Sequence, residues 1–316
     1  MQSFLKFLLL IAAGTAFGQP YPSRPIRMVV AFSPGGPVDV VARLIAPKMS
    51  EALGQPIVIE NKTGASGNLG ASQVAKAPAD GYTLLATSSA YAVNATLTPN
   101  PGYDAEKDFI PVAVVGSQPN FIVVNASFPA QTLAELLQMA RTQKLAFASP
   151  SSGTTPHLTA ENLFKVRAKV DITHVPFRGA GPAVAAVLGG EPPIGSMAGT
   201  APMPHLRSGK LRALAVSSSK RLASLPDVPT LNELGYPDME DYTWVGLFLP
   251  AGTPTAIAQK LNDAVIRTVQ SADIRERLDG LTFEPTAAPL RETADYVKSE
   301  LVKWAKVVRD TGAKAE

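Results

Sequence analysis

The chain has 316 residues, 46% of them hydrophobic, and a formal net charge of only +3. That balance, with Lys and Arg scattered along the chain, offers no basic surface of the kind a nucleic-acid partner requires. The absence of cysteine excludes disulfides, thiolate-zinc sites and thiol catalysis, so stability rests on packing.

At the N-terminus Lys6 precedes an apolar run from Phe7 to Ala13, followed by the small residues Gly14, Thr15, Ala16 and Gly18. This order is that of a secretory signal peptide. The run is shorter than the ~20 apolar residues of a permanent membrane helix. A buried helix would have to form across Gly14 and Gly18 and then meet Pro20 and Pro22. Cleavage is expected after Gly18, with Ala16 as the alternative. The first cut leaves 316 − 18 = 298 residues, a soft prior for two domains outside the cytoplasm.

Residues 26–32 (IRMVVAF) form a short apolar, β-branched run, a buried strand. Ser33-Pro34-Gly35-Gly36 breaks it, and Val40, Val41, Leu44, Ile45, Met49 and Leu53 then share one helical face, stopped by Gly54. Strands are expected at 56–61 and 82–87, with a glycine-punctuated turn and a short helix ending at Val74 between them. Further strands are expected at 112–116, 121–125, 145–149, 172–177, 211–217 and 244–249. Helices are expected at 132–141, 157–166 and 182–188. Strands alternating with helices predict α/β architecture with parallel sheets. The C-terminal part reads as helical, with Leu290, Ala294, Val297, Leu301, Trp304 and Val308 forming an amphipathic stripe. No flexible linker separates two domains, so the chain is expected to cross between them through short extended segments.

Four small-residue loops each join a strand to the next helix: 33–36, 87–90, 151–155 and 178–181. In a parallel sheet they fall at the carboxyl edge, where ligands bind. Their amides and the helix N-termini behind them suit a carboxylate or phosphate, and Ser and Thr hydroxyls add directional donors. Small residues also serve plain tight turns. Four such loops, two of them rich in hydroxyls, favour a polar small-molecule site.

Catalytic signals are thin. His157, His174 and His205 form no metal-like pair, and neither His-x-x-x-His nor Gly-x-Ser-x-Gly occurs. Gly179-Ala180-Gly181 lacks the third glycine and the acidic partner of a dinucleotide loop. No cofactor is called for. A hydrolase using Ser151 or Ser152 with His157 or His174 is the enzymatic alternative, without a nucleophile elbow to support it.

Tyr21-Pro22-Ser23-Arg24-Pro25-Ile26-Arg27, followed by Ser33-Pro34-Gly35-Gly36 with Asp39, resembles the opening of the Bug receptors. These are the extracytoplasmic solute-binding proteins of tripartite tricarboxylate transporters. Matching segments continue in family order: Gly54-Gln55-Pro56-Ile57-Val58-Ile59-Glu60-Asn61-Lys62, Gly67-Asn68-Leu69-Gly70, Asp80-Gly81-Tyr82-Thr83-Leu84, and Ser151-Ser152-Gly153 with Pro156-His157-Leu158. Later ones are His174-Val175-Pro176-Phe177-Arg178-Gly179, Gly209-Lys210-Leu211-Arg212-Ala213-Leu214-Ala215-Val216, Leu225-Pro226-Asp227-Val228-Pro229-Thr230 and Pro250-Ala251-Gly252-Thr253-Pro254. The resemblance covers nearly the whole mature chain.

It implies a periplasmic binding protein of type II-like fold, monomeric, with two α/β domains closing on a small carboxylated solute that is handed to membrane permease subunits. The expected division is residues 19–124 and 239–316 for one domain and 125–238 for the other. The implied ligand-binding residues are Phe32, Ser33, Pro34, Gly35, Gly36 and Asp39, then Thr87, Ser88 and Ser89. They continue with Ser151, Ser152, Gly153, Thr154, Thr155 and His157, then Arg178, Gly179, Ala180 and Met197. One segment departs from the family pattern: Glu191-Pro192-Pro193-Ile194-Gly195-Ser196-Met197, where two prolines and a glycine are expected to weaken a central strand. A sensory receptor docking on a membrane kinase is a further alternative, since one closed form would serve either role.

Overall fold

The computed structural model describes residues 21–315; the expected signal peptide lies outside the described residues. Strand β1 (Ile26–Val30) carries Ile, Met and Val in full burial. It leads through the 31–36 turn into helix α1 (Pro37–Leu53). Pro37 sits in the first turn, where its missing N–H costs nothing, and Gly54 ends the helix at φ 71°, donating to the Ser50 carbonyl. Strand β2 (Ile57–Asn61), helix α2 (Asn68–Ala75), strand β3 (Thr83–Ser88) and helix α3 (Ala90–Leu97) follow. Strands β2, β1 and β3 lie side by side in parallel.

Two strands were expected at 112–116 and 121–125. The structure has one, β4 (Phe109–Asn125). Its first stretch, to Pro119, pairs with β9 (Tyr242–Pro250), and from Asn120 onward it pairs with β7 (Ile194–Ala198) and β8 (Leu211–Val216). Pro119 lacks an N–H, but it sits where the strand leaves one sheet for the other, so the proline does not break it.

The second lobe is built from helix α4 (Leu133–Ala140), strand β5 (Leu145–Ser149) and helix α5 (Thr155–Glu161), which continues as a π-helical turn. Strand β6 (Ile172–Pro176), helix α6 (Ala180–Gly189), β7, helix α7 (Met203–Arg207) and β8 complete it. β5 is parallel to both β6 and β7. The parallel units expected in each lobe are therefore present, and β4, β8 and β9 join them with antiparallel pairing, so both sheets are mixed.

The segment expected to disrupt its strand does not do so. Pro192 and Pro193 precede β7, which runs between β4 and β5 in regular register. Gly195 belongs there for lack of space: a Cβ would lie 2.7 Å from Met197 Cε and 2.9 Å from Val187 Cγ2.

Helix α8 (Thr255–Gln270), helix α9 (Ala272–Gly280), strand β10 (Glu284–Pro285) and helix α10 (Leu290–Thr311) end the chain. Four residues of the expected stripe on α10 form its buried face: Val297, Leu301, Trp304 and Val308 pack with Tyr91, Val93, Trp244 and Phe248. Of the other two, Leu290 is half-buried and Ala294 is exposed, Thr293 being the buried residue of the first turn. The Glu300 carboxylate accepts the indole N–H of both Trp244 and Trp304 at 2.9 Å, tying α10 to β9. Each lobe has its own apolar cores, one pair around β1, β3 and β9 and the other around β5, β7 and β8. Among the described residues no helix is long and apolar enough to cross a membrane.

Candidate ligand-binding cleft

The carboxyl ends of β1, β2, β3, β5 and β6 converge on a cavity of about 630 Å³ between the lobes. This is the position the carboxyl-edge rule assigns to a ligand site in an open α/β sheet. One wall comes from the Ser33–Gly36 turn, residues 63–67 and Ser88. The other comes from Pro150, Ser151, Thr154 and Thr155 and from residues 177–182. Ala198 on β7 and Thr243 on β9, the strands that flank β4 on its two sides, also line it. Helices α1, α5 and α6 start at these walls, and none has a side-chain cap. Their first-turn amides are thus open to a ligand or water.

The walls already touch. Ser66 Oγ lies 2.7 Å from Ser151 Oγ and donates to the Ser152 carbonyl across the cleft. Ser66 holds φ 56°, in the left-handed region that favours glycine. Gly179 faces Ser33 across the cleft, where a Cβ would make only an ordinary contact, 3.7 Å from Ser33 Oγ; its φ of 120° is what favours glycine there.

Behind the cavity runs a chain of buried polar side chains. Ser89 and Thr155 share a hydroxyl bond of 3.0 Å, Thr155 and Thr243 one of 2.6 Å, and Thr243 donates to Asn120. Asn120 and Thr159 in turn donate to the Asp241 carboxylate. Burial pushes the Asp241 carboxyl up to about 6, although the Lys303 charge and these hydrogen bonds pull the other way. Under the Ser33–Gly36 turn, burial would raise the Asp39 carboxyl as well. There, hydrogen bonds from Arg43, the Gly35 amide and Asn61 prevail and hold it below the usual range.

Of the residues expected at the site, twelve line the cavity: Phe32, Ser33, Pro34, Gly35, Gly36, Ser88, Ser151, Thr154, Thr155, Arg178, Gly179 and Ala180. Arg178 is exposed and has no ion pair with any described residue. The other seven stand behind the wall. Asp39 braces the first turn, and Ser89 holds Thr155. Thr87 is a buried β3 residue and Ser152 is buried in the loop. Gly153, at φ 76°, packs against Asn94, and its N–H is accepted by His157 Nδ1. Met197 points into the second-lobe core, because alternation along β7 turns its neighbour Ala198 to the cleft instead.

Sequence reasoning missed Thr63 to Gly67, Phe177 and Thr243 among the lining residues. The first group was findable, since it follows the carboxyl end of β2 as the expected loops follow theirs. Thr243 carries no local signal, because only the pairing of β9 with β4 brings it to the cleft.

The histidines are unsuited to a hydrolase. His157 and His174 stack at 3.8 Å behind the loop, the first buried and the second half-buried, with His174 Nε2 2.7 Å from Ser149 Oγ. Desolvation, then the neighbouring His174 and Lys165 charges, lowers His157 to about 3; desolvation and Lys165 lower His174 to about 4. Ser151 is bonded to Ser66 rather than to an imidazole.

The family model of the tripartite tricarboxylate transporter family receptor matches residues 41–313. The chain belongs to this receptor family. It is 40% identical to Protein BugT of Bordetella pertussis over 298 residues, 93% of this chain and 91% of that protein. The structure of periplasmic binding protein BugD superimposes with a TM-score of 0.87 at 33% identity, covering 94% of this chain and all of that one. The R. palustris protein Rpa4515, solved with adipate, gives a TM-score of 0.88 at 36% identity, covering 93% of this chain and 99% of that one. The chain is accordingly a solute-binding receptor of the Bug type and not an enzyme.

Proposed function

We propose that this receptor, acting as a monomer in the periplasm, captures a small carboxylated solute between its lobes and delivers it to the membrane permease subunits of a tripartite tricarboxylate-type transporter. The observation that carries the reading is the inter-lobe cavity, with hydroxyl-bearing loops, uncapped helix starts and the unpaired Arg178 on its walls. The adipate in the related R. palustris protein supports a carboxylated ligand. In this reading residues 19–124 and 239–316 form one domain and 125–238 the other. The hinge lies where β4 passes from one sheet to the other, near Pro119–Asn120, and where the returning chain enters β9, near Asp241–Tyr242.

The test is a thermal-shift screen of carboxylates against the mature protein. A ligand that binds only the folded form raises Tm by mass action, by about 2.7 kcal/mol of stability at a hundredfold excess over Kd. A carboxylate that raises Tm should also accumulate in cells carrying the receptor and its transporter, and not in cells lacking the receptor. A screen in which no carboxylate shifts Tm overturns the reading.

A further inference from the structure

Hydrogen bonds around the cavity fix the direction of its hydroxyl protons, because each hydroxyl has one proton to give. Asp241 sets the order. Burial behind the cleft raises it only to about 6, so at neutral pH it is a carboxylate and accepts without donating. Asn120 therefore turns its amide nitrogen to Asp241, at 2.6 Å, and its amide oxygen to Thr243, at 2.8 Å. Thr243 gives its proton to that oxygen. In the 2.6 Å bond between Thr155 and Thr243 the donor is then Thr155, and in the 3.0 Å bond between Ser89 and Thr155 the donor is Ser89. The whole chain points toward Asp241.

The walls follow the same pattern. Thr154 donates to the Ser151 carbonyl. Ser66 donates to the Ser152 carbonyl, so in the bond between the two serines Ser151 donates to Ser66. Among the lining hydroxyls, Ser66, Ser151, Thr154, Thr155 and Thr243 thus have no proton left for a ligand. Ser33, Thr63 and Ser88 donate to no described residue, and with Arg178 they are the side chains able to hold a carboxylate. The surface made by Thr155 and Thr243 is the reverse of a carboxylate site. Each oxygen has spent its proton and taken one bond, and its remaining lone pair only accepts.

From this order of protons we infer that Thr155 and Thr243 form a specificity-determining acceptor, directed by Asp241 as a positioning residue, and that the ligand is a carboxylate carrying a hydroxyl that donates to it. The inference rests on the receptor reading above and narrows it from carboxylates in general to hydroxycarboxylates. An ammonium is also a donor, but no anionic side chain lines the cavity to balance its charge, so a hydroxyl is the better match.

Calorimetric titration of the mature protein at neutral pH, with carboxylates that differ at one substituent, tests this. The sets are succinate, malate, methoxysuccinate and aspartate; glutarate with its α- and β-hydroxy derivatives; and propanoate with lactate. The expected result is a hydroxy acid that binds at least about tenfold tighter than its unsubstituted parent, the scale of one hydrogen bond in a closed site. The methoxy ether keeps the oxygen but lacks the proton, and should bind no better than the parent. Asp241→Asn lets the chain of hydroxyls run either way, and Thr243→Val removes the acceptor. Both should bring the hydroxy-to-parent affinity ratio close to one, and Thr243→Ser should keep it. A general loss of stability or affinity leaves that ratio unmoved, which separates positioning by Asp241 from a merely structural role. No hydroxy acid exceeding its parent, or an ether matching the hydroxy acid, overturns the inference and leaves the carboxylate-receptor reading standing. Aspartate binding tighter than malate overturns the choice of hydroxyl over ammonium. A ratio unchanged in Thr243→Val overturns the acceptor, and one unchanged in Asp241→Asn overturns the part given to Asp241. Failure of every acid to bind overturns the receptor reading itself, and this inference with it.

Discussion

Arg178 and the stacked histidines show how burial decides what a charged or titratable residue does here. Arg178 lines the cavity and has no ion pair with any described residue, so Arg178→Ala should leave stability within about half a kcal/mol of wild type. Solute affinity should fall roughly ten- to hundredfold, the measure of a lost charge-assisted bond. Calorimetry alongside a thermal melt separates the two effects.

His157 and His174 act in the opposite sense, on stability. Folding lowers them from the ordinary 6.5 to about 3 and about 4, so between those values the unfolded chain binds more protons. Their contribution is complete above pH 6.5 and is lost as pH falls toward 4. Asp241, raised from 3.8 to about 6, contributes fully below pH 3.8 and loses that contribution as pH rises through 6. Two imidazole shifts outweigh one carboxyl shift, so Tm should drop between pH 6.5 and 4. His157→Gln retains an acceptor for the Gly153 amide and should flatten that slope; an unchanged slope would assign the acid sensitivity elsewhere.

Among the elements, β7 illustrates why a composition rule and a strand position can disagree. Pro192, Pro193 and Gly195 read as strand breakers, yet the prolines precede the strand, where only the Pro193 carbonyl is called on, accepting from the Asn125 N–H, and the glycine fits a crowded interior position. Gly195→Ala would drive a Cβ against Val187 and Met197. Met197 Cε is the end of a flexible side chain and can yield, whereas Val187 is a β-branched residue packed on α6. We expect a loss of about 1–3 kcal/mol, the usual scale for overpacking, read from the urea midpoint. β4 offers the converse case. The proline-interrupted stretch from 112 to 125 looks like two strands, and it is one because Pro119 lies at the change of pairing partner. Helix α10 was legible from its four-three stripe alone, since amphipathic periodicity reports a buried face whatever that face packs on.

For the molecule as a whole, the bonds from Ser66 to the Ser151–Ser152 segment cross the cleft. Such bonds favour the closed arrangement, and a ligand touching both walls adds differential affinity for the same state. Ser66→Ala removes that bias. Its radius of gyration without ligand should exceed that of wild type by small-angle scattering, and saturating solute should bring the two profiles together. Identical profiles for the two unliganded proteins would show that the Ser66 bonds do not set the resting opening.

The sequence by itself determined the α/β class, most of the helices and strands and the carboxyl-edge loops, each from local periodicity, turn chemistry or the rule that parallel strands deliver their loops to one edge. The twelve lining residues came from the family resemblance carried by its motifs. Tertiary structure alone decided which loop residues face the cleft and which stand behind it. It alone joined Ser89, Thr155, Thr243, Asn120 and Asp241 into one polar chain. Those contacts join residues as far as 123 positions apart, and they exist only because β4 spans both sheets and pairs with β9 along its first stretch. No local pattern encodes a crossing of that kind, because it is set by which strands find each other when the two cores pack.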